Sequence, residues 1–394
     1  MHTKSVTKVL TILSPSIVLR ALAMDIFIPC ITAVAFELGS TPGNAQWVLS
    51  IYFIGAGLGQ LIIGPLADHF GRRKVILGSI VLFVFSSIAC SMSTSIMELI
   101  ITRLFQGVGA CGSTVVTLAI IRDLYEDHMT PRVYTHVYSI IGLAPLLAPL
   151  LGGSLLVWTG NWRSSFYFVT AFGLLAFVIN YFFLKETNPR FNNKLEVVNL
   201  KIIKHYKEII SSTEFLTYTY CAIACLSSLF LFFSLSSVLL IRMLAVSPEI
   251  YGYYFGFNSL MCLSANMLSP WLQRKFGVKQ IMIAGSYIML LGAGFMLWLN
   301  WGFGLSKSAL LLPNAVLTFG IGLLLGPCTA GAMRPFKHIA GTAAATYGAL
   351  LYCLSALIVA GIMQFKIVNA LPLAIMVLFM ASVNILVLRR PRLS

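Results

Sequence analysis

Charge is scarce in this sequence. Only 10% of its 394 residues are Asp, Glu, Lys or Arg, against about 25% in a soluble domain, so the chain cannot cover itself with a water-facing surface. Acids are scarcer still, 12 against 27 Lys and Arg. No G-x-x-x-x-G-K-[ST] phosphate loop occurs, which argues against direct coupling to ATP. The eight cysteines contain no C-x-x-C pair and fall inside or at the edge of apolar runs. They are expected to pack as small apolar residues rather than to bridge or to bind metal. The six histidines sit in loops or at run ends, which suggests neither a haem site nor a histidine proton relay. No cofactor is expected.

What fills the chain is hydrocarbon: 58% of residues are hydrophobic and the mean hydropathy is +0.90. A span needs roughly 20 apolar residues to cross a ~30 Å core. Twelve such runs follow one another, at 9–35, 45–67, 75–93, 96–121, 133–158, 165–184, 215–241, 250–272, 281–300, 308–333, 341–363 and 371–388. The predicted fold is therefore an all-α membrane protein of twelve transmembrane helices. The first run contains Arg20 and Asp25 and lacks a small-residue cleavage site, so it is expected to stay as a span rather than to leave as a signal peptide.

A formal charge of +15 would suggest a nucleic-acid partner in a soluble protein. Here the basic residues lie in the short connections, where they set topology. With the N-terminus inside, cytoplasmic segments collect Lys4 and Lys8, Arg72 to Lys74, Arg122, Arg132, Lys185, Arg190, Lys194, Lys201, Lys204, Lys207, Arg274, Lys275, Lys279, Arg334, Lys337, Arg389, Arg390 and Arg392. The outer segments hold only Arg163, Arg242, Lys307 and Lys366. Both termini are expected in the cytoplasm, lipid is the solvent, and nucleic acid is not a partner.

One long polar interval, 185–214, divides the hydrophobic sequence. The expected organisation is a six-helix bundle over 1–184, a cytoplasmic linker over 185–214 and a second six-helix bundle over 215–394. Within the linker, Leu195, Val198, Ile202 and Ile209 recur near helical spacing with lysines between. Two readings stand: a helix lying on the inner membrane surface, or a solvated basic tether. The halves echo each other. Residues 64–74 (GPLADHFGRRK) and 269–279 (SPWLQRKFGVK) share a proline, a Phe-Gly and a basic tail, with one residue of slippage. Such repetition suits a carrier made of two pseudo-symmetric bundles.

The segment 64–74 resembles the loop-two signature of the major facilitator superfamily. Gly64 and Pro65 are expected to end a helix. The resemblance implies a gate latch in which Asp68 holds the carrier's conformation and Arg72 reaches an acid such as Asp123. Residues 103–107 (RLFQG) resemble the superfamily's R-x-x-Q-G element. Residues 144–153 (APLLAPLLGG) resemble the motif of its drug:proton antiporters, in which Pro145, Pro149 and small residues let helices approach and bend. Ala148 stands where that motif usually has Gly. In the first span, Leu13-Ser14-Pro15 and residues 24–29 (MDIFIP) are similar to twelve-span exporters of chloramphenicol, florfenicol and bicyclomycin. The resemblance implies a proton-coupled carrier of a small amphipathic solute in the bacterial inner membrane, working by alternating access, and expected to be a monomer.

Of the twelve acids, Asp25 alone lies well inside a span. A carboxylate in hydrocarbon is costly unless protonated or paired, which makes it a functional candidate. Arg103 lies at a similar depth, roughly 10 Å from the outer boundary against roughly 15 Å for Asp25 at 1.5 Å per residue, and is the expected partner. Arg20 departs from the phenicol exporters, which carry a small residue there. It either binds an anionic substrate, such as a citrate-type siderophore, or snorkels and satisfies a nearby carbonyl. Tyr52, Tyr254 and Asn258 either line an amphipathic pocket or pack. Two substrate classes follow: a phenicol-like drug, or a carboxylate siderophore.

Overall fold

A computed structural model of the protein describes residues 6–125, 130–187, 200–365 and 368–389. Lys4, Arg190, Lys194, Leu195, Val198, Lys366, Arg390 and Arg392 lie outside the described residues. Among those described, the chain forms helices and no strands. In hydrocarbon each backbone N–H and C=O must be satisfied within its own segment, and the helix does this without a partner.

The chain divides into two compact units, 1–199 and 200–394. The first contains α1 (Val6–Asp25), α2 (Ile31–Glu37), α3 (Pro42–Phe70), α4 (Arg72–Met92), α5 (Ile96–Leu124), α6 (Thr130–Thr159) and α7 (Arg163–Phe183). The second begins with α8 (Leu200–Ser211) and continues through α9 (Thr213–Ser236), α10 (Pro248–Phe276), α11 (Val278–Phe303), α12 (Lys307–Met333), α13 (Ala340–Ile362) and α14 (Leu371–Leu388). Taken together, α1 and α2 are one interrupted span, so each unit holds six span-length segments. Within the linker, α8 buries Ile209 and exposes Lys204 and Lys207.

Eleven segments among the described residues are long and apolar enough to cross a membrane. The expected span at 250–272 is the one that falls short. Its helix, α10, has 29 residues, about 43 Å at 1.5 Å per residue, so length is ample. Asn258, Ser264, Asn266, Ser269 and Gln273 dilute its apolar character.

Packing repeats from one unit to the other. In the first, α5 packs on α3 and α4, α4 on α7, and α1 on α5, α6 and α7. In the second, α12 packs on α10 and α11, α11 on α14, and α9 on α12, α13 and α14. Helix for helix, the same neighbours meet. All eight cysteines are free thiols.

Two expectations about helix ends are corrected. The first span is not continuous, because α1 stops at Asp25 and a short 3₁₀ turn, Ile28–Cys30, separates it from α2. Pro29 is the cause: it has no N–H to give, and its ring clashes with the carbonyl four residues earlier, that of Asp25. Pro65, by contrast, does not end its helix. α3 runs through it to Phe70 and stops at Gly71, whose φ of 93° a side chain would resist.

Where α2 ends, three side chains tie the first unit together. Trp162 Nε1 donates to Glu37 Oε2 at 2.7 Å, and Arg163 forms an ion pair with the other oxygen of Glu37. The Arg163 guanidinium also donates to the Ser93 carbonyl at 3.1 Å and lies 4.2 Å above the Trp162 ring. The outer half of the broken span is thereby fastened to the start of α7 and, through Arg163, to the end of α4.

Candidate functional site

The break in the first span builds the site. In an unbroken helix the Phe27 N–H would bond to the Ala23 carbonyl, but here it turns to Met24 O at 3.3 Å. The Ala23 carbonyl is left without its helical donor. Arg103 takes the place, donating from Nη1 to Ala23 O at 3.1 Å. The same nitrogen donates to Gln106 Oε1 at 2.7 Å, and Nε reaches Val48 O at 3.4 Å. Gln106 is itself fixed, because its amide nitrogen donates to Ser87 Oγ at 2.7 Å.

Arg103 is wholly buried. Its guanidinium lies 4.6 Å from the ring centres of both Phe27 and Tyr52 and 5.5 Å from that of Phe166. Rings of this kind attract a cation through their quadrupoles and cost it less desolvation than aliphatic walls would. Its Nη2 has no hydrogen-bond partner. The group is thus a buried cation held by carbonyls, an amide and aromatic faces, with one donor unspent.

Asp25 closes α1, two residues beyond the carbonyl that Arg103 grips, and is 5% exposed. No hydrogen bond or ion pair joins it to Arg103, although depth along the two spans made them expected partners. Arg20 lies five residues before Asp25 on the same helix. Arg20 is half-buried, and its backbone carbonyl accepts the Tyr52 hydroxyl at 2.8 Å. Tyr52 therefore bridges the cage around Arg103 and the helix carrying Asp25. This juxtaposition can hold or release one proton beside a fixed cation.

Pro145 and Pro149 both lie inside α6, which continues through them. Three residues on, a Cβ at Gly152 would stand 1.9 Å from the Ile26 carbonyl. Only glycine lets α6 reach the broken segment this closely.

At the other end of α3 a second cluster forms. Arg72 spans two acids, with Nη2 2.7 Å from Asp68 and Nε 2.9 Å from Asp123. Arg72 is nearly covered, whereas Asp68 is two-thirds exposed. In the second unit, Asn258 is buried on α10 and bonds to the carbonyl of half-buried Tyr254 at 2.9 Å. Asn314 of α12 donates to Asn258 Oδ1, also at 2.9 Å. These residues form a polar seam between two helices. Among the described residues, no group of His, Cys, Asp and Glu is placed to hold a metal.

Sequence reasoning missed Gln106, Gly152, Phe27, Phe166 and Asn314. Gln106 and Gly152 stood inside motifs already singled out. Phe27 also stood inside a quoted motif, 24–29, whereas Phe166 and Asn314 carried no signal of their own, because their meaning depends on what the neighbouring helix places opposite.

Comparison with known proteins identifies the family. The family model described as Major Facilitator Superfamily matches residues 13–360. The chain is 30% identical to multidrug resistance protein D of Escherichia coli strain K12, over 84% of this chain and 82% of that one. It is 27% identical to the chloramphenicol resistance protein of Pseudomonas aeruginosa, covering 93% and 85%. Among solved structures, a D-xylose–proton symporter superposes with a TM-score of 0.79 over 97% of both chains, at 16% identity, which speaks for the fold alone. A membrane-spanning, two-unit helical chain with these relatives is a multi-pass membrane transporter, and it belongs to the Major Facilitator Superfamily.

Proposed function

We propose that the protein is a proton-coupled exporter of small amphipathic drugs, phenicols among them, working by alternating access in the cytoplasmic membrane with both termini inside. The observation that carries the reading is that one deeply buried acid and one buried, partly unsatisfied cation both meet the break in the first span without bonding to each other. Relatives named for resistance to multiple drugs and to chloramphenicol supply the substrate class.

In this reading Asp25 is the proton carrier. Protonated, it is neutral and tolerates burial, and Arg103 stays on the Ala23 carbonyl. Ionised, it needs a partner. Arg103 has an unspent donor, and in this reading it exchanges the Ala23 carbonyl for the carboxylate. Substrate and proton then compete for one electrostatic vacancy. Asp68, Arg72 and Asp123 latch the conformation, and Tyr52, Tyr254 and Asn258 contribute to the substrate surface.

The test is Asp25→Asn in proteoliposomes. Substrate-driven proton movement is expected to vanish while phenicol binding persists. Proton flux that survives intact sinks the assignment.

A second reading is favoured by Arg20, a half-buried basic residue five positions before Asp25 on α1. A carboxylate siderophore would offer such a group a bidentate partner. Calorimetry with a citrate-type siderophore separates the readings. Binding that weakens at least about tenfold, or ~1.4 kcal/mol, in Arg20→Ala supports the anion, whereas no binding to the wild type leaves the drug reading alone.

A further inference from the structure

α4 begins in an unusual way. The first four N–H groups of a helix have no partner within it, and the residue before the helix normally supplies a side-chain acceptor. Before α4 that residue is Gly71, which has no side chain to offer. Glu186 fills the role from 114 residues away. Its Oε1 accepts the Arg72 amide at 2.9 Å and its Oε2 accepts the Arg73 amide at 3.0 Å, while Oε1 also accepts the Thr187 amide at 3.0 Å. A carboxylate there meets both the free amides and the positive end of the helix dipole.

The grip is returned. Arg73 donates from Nε to Leu184 O and from Nη2 to Tyr181 O, both at 2.7 Å, and so satisfies carbonyls at the end of α7. The start of α4 and the end of α7 therefore cap each other. Arg72 belongs to both arrangements: its amide is held by Glu186, and its side chain spans Asp68 and Asp123. Beyond Thr187 the chain runs on into the linker.

We propose that Glu186 is a positioning residue of the Arg72 latch, so that the first residues of the linker take part in gating. The inference rests on the transport reading above. Strain that withdraws Glu186 removes the anchor from the backbone of Arg72 and loosens its hold on the two acids. Opening the latch likewise frees the α4 terminus.

The experiment compares wild type, Glu186→Gln, Glu186→Asp, Asp68→Asn and the Glu186→Gln/Asp68→Asn double variant. Two readouts are used: phenicol efflux rates, and hydrogen exchange at 72–76 and 184–187 in nanodiscs without substrate. Glu186→Gln should lower maximal efflux several-fold with KM unchanged, and Glu186→Asp should recover part of it. The double variant should be no slower than the slower single variant, as expected when two residues act through one element. Asp68→Asn should speed exchange in both segments. Multiplied rate losses in the double variant, unchanged efflux in Glu186→Gln, or exchange at 184–187 indifferent to Asp68 would each overturn the proposal. If wild type moves no phenicol, the drug reading fails, and the exchange data still decide whether Glu186 and the latch are coupled.

Discussion

Tyr52 and Asn258 occupy the same place in the two units. Each is the eleventh residue of a 29-residue helix that starts at a proline. Arg103 and Asn314 are likewise each the eighth residue of the helix packed against it. In one unit the position holds a cation 4.6 Å from a tyrosine ring; in the other it holds two amides bonded at 2.9 Å. The turns at the far ends of α3 and α10 repeat the contrast. Gly71 and Gly277 close them with φ of 93° and 89°, yet counting back from those glycines sets Asp68 against Arg274, and counting forward sets Arg72 against Val278. Duplication has kept backbone geometry and separated the chemistry. Among the described residues the buried charge lies in the first unit, and the second answers with neutral polar groups.

The comparison breaks most severely if Asn314→Arg is tolerated. That substitution buries a cation beside the Asn258 amide, and an unpaired buried charge is strongly destabilising. The variant should fail to accumulate as a monodisperse protein in detergent. A folded variant would mean that the second unit can solvate charge after all. The reverse exchange, Arg103→Asn, should be milder for folding and fatal for function. Efflux should fall to background while the purified protein still gives a single gel-filtration peak, since a neutral residue at this depth is what the second unit already carries.

Gly71→Ala and Gly277→Ala sharpen the backbone half of the comparison. Both turns use a conformation nearly reserved for glycine, so each substitution should cost about 1–3 kcal/mol. Thermal unfolding should show similar losses for the two, although their side-chain neighbours differ. Smallest is the effect of the exposed acid. Asp68→Asn should slow efflux several-fold with binding affinity unchanged, whereas Arg274→Asn should leave the rate close to wild type. Equal slowing by both would show that the second turn is also a latch.

Much of this was legible in the sequence because lipid imposes strict demands. Apolar runs of span length and the 185–214 interval are direct records of the solvent, and within 64–74 it is Gly71 alone, not Gly64 or Pro65, that marks the turn by its stereochemistry. The site was legible only as a list. Asp25 and Arg103 are conspicuous as charges in hydrocarbon, but depth alone suggested that they touch. What leaves the Ala23 carbonyl open to Arg103 is the turn of the Phe27 N–H to Met24 O at the break, and a missing bond becomes visible only when the helix is built. The same limit hid Glu186, since nothing local to either 72–73 or 186 announces that one caps the other.

The broken first span also has unequal arms. From the break, α2 extends seven residues, about 10 Å, and α1 twenty residues, about 30 Å. The short arm is fastened at Glu37 to Trp162 and Arg163. A rotation of roughly ten degrees about the break would move the far end of α1 by about 5 Å at this helical rise, and the fastened end by under about 2 Å. The break beside Asp25 thus divides the span into arms whose lengths differ about threefold, so any tilt about it would displace the far end of α1 about three times as far as the end of α2.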